Sequence, residues 1–75
     1  MTVLGDIILS RHLTVTQVSE ESGIPRRTLI RYIYGHAKPS WENALKIYKT
    51  LNLVEYQFIH MMDDVEYEIN ENEFY

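Results

Sequence analysis

Arg26, Arg27 and Arg31 stand within residues 25–34, a stretch that carries no acidic residue. Each guanidinium is a planar fork of N–H donors that fits guanine O6 and N7, or a phosphate, with two parallel hydrogen bonds. On a helix, Arg27 and Arg31 are four apart and share a face. The chemistry available here is therefore recognition of an anionic polymer with readable edges, set against the simpler alternative of a solvated helix face. Chemistry that makes or breaks bonds has less support. His12, His36 and His60 lie far apart, and none has a second ligand at helical spacing, so no metal is expected. No serine or threonine combines with histidine and carboxylate in a recognisable catalytic order, and no glycine-rich phosphate loop occurs. A chain of 75 residues leaves little room for a substrate cleft. Neither an enzyme nor a cofactor is expected.

The net charge of −4 argues at first against a nucleic-acid partner, but the charges are segregated. Over residues 22–50 the cations Arg26, Arg27, Arg31, Lys38, Lys46 and Lys49 face only Glu42, a local charge of +5. Over residues 61–75, Asp63, Asp64, Glu66, Glu68, Glu71 and Glu73 have no basic neighbour, a local charge of −6. A polyelectrolyte responds to the nearby field rather than to the chain total. The absence of cysteine suits a reducing compartment. The opening segment, broken by Asp6 and Arg11, reads as neither a signal peptide nor a membrane span.

The elements that must position the arginines follow from periodicity and breakers. Val3, Leu4, Ile7, Ile8 and Arg11 repeat near 3.6 residues and predict a first helix over residues 2–12. Thr14 and Gln17 have the spacing of a capping box, so a second helix starts at Val15 and stops at Gly23. Pro25 fits the first turn of a third helix over residues 25–34, which Gly35 ends. Ser40 caps a fourth, with Trp41, Ala44, Leu45, Tyr48 and Leu51 on its inner face. Leu53, Tyr56, Ile59 and Met62 mark a short fifth helix over residues 54–62 that closes the core. The expected fold is all-α, a compact bundle of five short helices over residues 1–62. Residues 63–75 form an acidic tail in which Val65, Tyr67 and Ile69 alternate with Glu66, Glu68 and Asn70. That is the period of a strand, which alone is unstable; the tail is expected to pair with a partner chain as a dimerisation strand, to pack on the domain, or to fray.

The second and third helices are joined by so few residues that they form a helix-turn-helix. Val18, Ser19, Gly23, Ile24, Leu29 and Tyr32 place small or apolar residues where the helices meet. Arg26, Arg27, Thr28, Ile30 and Arg31 are left outward. Tyr32 and Tyr48 are expected in the core, whereas Trp41 sits beside the Lys38 loop, where its indole N–H has access to a phosphate.

From Ile7 to Ile59 the sequence resembles the Cro and phage-repressor type of helix-turn-helix regulators, the lambda-repressor-like fold. The resemblance rests on Leu13-Thr14, on Ser22-Gly23-Ile24-Pro25-Arg26-Arg27-Thr28-Leu29, on Tyr34-Gly35-His36-Ala37-Lys38-Pro39-Ser40 and on Ala44-Leu45-Lys46-Ile47. It implies that Pro25, Arg26, Arg27 and Arg31 contact bases, and that Thr28, Tyr34, His36 and Lys38 contact the DNA backbone. It implies double-stranded DNA as partner, a homodimer, and a cytoplasmic setting in a bacterium or a phage-infected cell. Four positions depart from the family pattern. Val15 replaces a phosphate-gripping glutamine, Ile8 and Ile33 replace an arginine–glutamate pair, and Tyr34 replaces an asparagine. The acidic tail has no place in the minimal pattern. It motivates a rival reading, an antirepressor or modulator that binds a partner regulator and touches DNA little or not at all.

Overall fold

The computed structural model describes residues 2–63. They form five α-helices: α1 Val3–Ser10, α2 Val15–Ser22, α3 Arg26–Ile33, α4 Trp41–Thr50 and α5 Glu55–Met62. The tail with its expected strand lies outside the described residues. Within them the fold is all-α.

Local chemistry fixes where each helix begins. The Thr14 hydroxyl accepts from the Gln17 amide at 3.1 Å while the Gln17 side-chain oxygen accepts from the Thr14 N–H at 2.8 Å, so the expected capping box opens α2. Ser40 caps α4 by accepting from Asn43 N–H. Thr2 caps α1 by accepting from Gly5 N–H, and its hydroxyl donates to the Ile33 carbonyl at 2.6 Å. That bond fastens the start of the chain to the end of α3. Pro25 is the N-cap of α3 rather than its first helical residue, with φ −57° and ψ 143°.

Three helices end in the same way. His12, Gly35 and Asn52 adopt positive φ, at 57°, 76° and 51°. The next N–H in each case, from Leu13, His36 or Leu53, donates to a carbonyl five residues back. This closure satisfies carbonyls that the helix leaves unpaired, and glycine accepts it at least cost. Arg11 adds a cap across the bundle, its guanidinium donating to the Leu51 carbonyl at the end of α4.

The core is Leu4, Ile7 and Ile8 of α1, Val18 of α2, Ile24 of the turn, Leu29, Tyr32 and Ile33 of α3, Ala44, Ile47 and Leu51 of α4, then Leu53 and Met61. Ile8 and Ile33 are both buried in it. Two apolar residues thus stand where the resemblance implies an ion pair, a replacement that need not cost stability. Two expectations about inner faces are corrected. On α4 the buried row is Ala44, Ile47 and Leu51; Tyr48 and Leu45 lie at its margin, 36% and 37% exposed, and Trp41 is 65% exposed. On α5, Met61 is buried and Phe58 and Met62 pack on the core, whereas Tyr56 and Ile59 are 70% and 50% exposed. The reason is common to both helices. Each carries apolar residues around more of its circumference than the core can cover, so periodicity offers two faces and packing chooses one.

Candidate nucleic-acid interface

The connection between α2 and α3 is Gly23, Ile24 and Pro25. Gly23 takes the left-handed conformation at φ 80°, and its N–H donates to the Ser19 carbonyl at 2.9 Å. A Cβ there would meet no atom within 4 Å, so the need for glycine is conformational rather than steric. Ile24 then plunges into the core, nearly fully buried. A clasp holds it. The Ser19 hydroxyl donates to the Ile24 carbonyl at 2.6 Å, and Ile24 N–H donates to the Ser22 hydroxyl at 3.1 Å. Sequence spacing marks Ser19 only as a small residue at the helix contact; its hydrogen bond to the turn has no signal in that spacing.

This turn sets the orientation of α3. Leu29, Tyr32 and Ile33 face inward, and the Tyr32 hydroxyl accepts from the Asn43 side-chain amide at 2.9 Å, tying α3 to α4. The outward face follows from helical geometry. Arg27, Arg31 and Tyr34 occupy one row at i, i+4 and i+7, and Arg26 and Ile30 occupy the adjacent row. Pro25, Arg26, Arg27 and Arg31 are all exposed, and so are Tyr34, His36 and Lys38; Thr28 is half-buried. The structure therefore brings the eight expected contact residues to one helix and the loop that leaves it. The Tyr34 and His36 rings approach with centroids 6.4 Å apart. No side chain caps the N-terminus of α3, so its first-turn N–H groups add positive potential beside Arg26 and Arg27.

A helix-turn-helix family model matches residues 4–59, most of the chain and all five helices except the last turn of α5 and the first residue of α1. The chain belongs to the Cro and phage-repressor type helix-turn-helix family. It is, at that level, a DNA-binding regulator. No curated protein and no solved structure matches it significantly.

Family membership gives the geometry its meaning, since in helix-turn-helix domains the second helix of the motif enters the major groove while the first crosses the backbone. Here that second helix is α3, with Arg26 and Arg27 in its first turn and Arg31 in its last. The Val15 side chain, at the position where the resemblance implies a glutamine, packs against the core instead. Among the described residues, no three or more histidine or acidic side chains are grouped to hold a metal ion, and no helix is long and apolar enough to cross a membrane.

Proposed function

We propose that this protein is a sequence-specific transcriptional regulator of the repressor or Cro kind, which acts by occupying an operator with α3 in the major groove. The observation that carries the reading is the division of α3 into a face locked in the core and a face of three exposed arginines. Under it Pro25, Arg26, Arg27 and Arg31 meet base edges. Thr28, Tyr34, His36 and Lys38 meet phosphates, which set the register of the helix without reading sequence. Two copies bind together, their α3 helices spaced by one DNA turn, about 34 Å. The exposed α5 residues Tyr56 and Ile59, one turn apart, offer the apolar surface for that pairing. Such a regulator acts in the cytoplasm of a bacterium or a phage-infected cell.

The test is selection of a preferred site from random duplexes, followed by single substitutions. Arg26→Ala is expected to lower discrimination at one or two base pairs by about 1–3 kcal/mol, whereas Lys38→Ala weakens all sequences alike. An unchanged specificity profile in the Arg26→Ala protein would remove the base-contact assignment.

A further inference from the structure

Arg26, Arg27, Thr28, Ile30 and Arg31 are the residues of α3 that the core does not bury. All can hydrogen-bond through their side chains except Ile30. It is 36% exposed, and among the described residues it belongs neither to the core nor to the apolar side chains packed on it. It shares a row with Arg26, one turn earlier, and is followed directly by Arg31. The helix itself does not call for isoleucine there. A β-branched residue is a poorer helix former than arginine, lysine or glutamine, any of which suits an exposed position.

We infer that Ile30 reads the C5-methyl group of a thymine and so adds an apolar element to the operator beside the bases that the arginines contact. The inference rests on the DNA reading proposed above and deepens it. Among the four bases only thymine presents an apolar group on its major-groove edge; the others present donors and acceptors. Isoleucine pressed on one of those leaves it out of water without a partner, which costs more than burial of a methyl group gains. The position therefore favours thymine and disfavours the other three. Stiffness helps, because the χ1 angle of isoleucine is already restricted on a helix and little side-chain freedom is lost on contact. Spacing gives the place. From Arg26 to Ile30 the helix rises about 6 Å, close to two base-pair steps of about 3.4 Å. For a helix lying along the groove, the thymine falls about two base pairs from the base that Arg26 contacts.

The test starts from the duplex that the wild-type protein selects from random sequence. Each thymine in it is replaced in turn by deoxyuridine, which removes the methyl group and keeps every hydrogen-bonding group. Affinity for each duplex is measured for the wild type and for Ile30→Ala. Both ratios are taken within one protein, so a change in folded fraction or in overall affinity cancels. At one thymine, loss of the methyl is expected to weaken the wild type about fourfold, the effect of one buried methyl group, and to leave Ile30→Ala unchanged. A selected site in which no deoxyuridine weakens binding, or in which both proteins lose equally, overturns the inference while the DNA reading stands. Failure of the wild type to select any site overturns both.

Discussion

α3 and α5 are each eight residues long, yet they treat solvent in opposite ways. α3 buries Leu29, Tyr32 and Ile33 and turns Arg26, Arg27 and Arg31 outward. α5 buries Met61, packs Phe58 and Met62 against the core, and leaves Tyr56 and Ile59 outside. The difference lies in what each outer face can meet. Guanidinium groups are suited to phosphate and base edges, whereas exposed tyrosine and isoleucine gain only by meeting another apolar surface. One small bundle thus separates a cationic outer face from an apolar one.

The contrast between the two helices is broken most severely from the inside. Leu29→Ala removes a fully buried side chain beneath the arginines, and a loss of about 2–5 kcal/mol is expected by chemical denaturation. Ile59→Ser, on the outer face of α5, is expected to change the same stability by less than about 0.5 kcal/mol. If the two cost the same, the assignment of inner and outer faces is wrong. Gly23→Ala forces a side chain into the left-handed region, and about 1–2 kcal/mol is expected to be lost, with the orientation of α3 the first casualty. Tyr32→Phe removes the acceptor for the Asn43 amide and is expected to cost about 0.5–1.5 kcal/mol in a thermal melt. One effect runs the other way. His12→Gly relieves a positive φ at the end of α1, and a gain of about 0.5–1 kcal/mol is expected.

The same contrast explains what is legible in the sequence. Caps and stops depend on a few neighbouring residues, so Thr14 with Gln17, Gly23, Gly35 and Ser40 mark real boundaries. α3 is legible because its charged and apolar residues separate cleanly around the helix, leaving one possible inner face. The inner face of α5 is not, because Tyr56 and Ile59 fit a helical stripe as well as Phe58, Met61 and Met62 do. Only the position of α1 and α4 decides between them. Periodicity points Tyr48 inward for the same reason, and Ile47 takes that place. Bonds between distant elements, such as Thr2 to Ile33 and Arg11 to Leu51, have no local signature at all.

The central claim is that the outer face of α3 is the DNA surface. A salt titration of binding to labelled duplex DNA, followed by fluorescence anisotropy, tests it most directly when the wild type is compared with Arg26→Ala/Arg27→Ala/Arg31→Ala. These side chains are exposed, so the variant should remain folded. The account predicts steeply salt-dependent binding by the wild type and, in the variant, weaker binding with a logarithmic salt slope smaller by about one for each phosphate that is no longer neutralised. Equal binding by both proteins would contradict it. No binding by the wild type at low salt would contradict it too, and would make a protein partner the target of this fold.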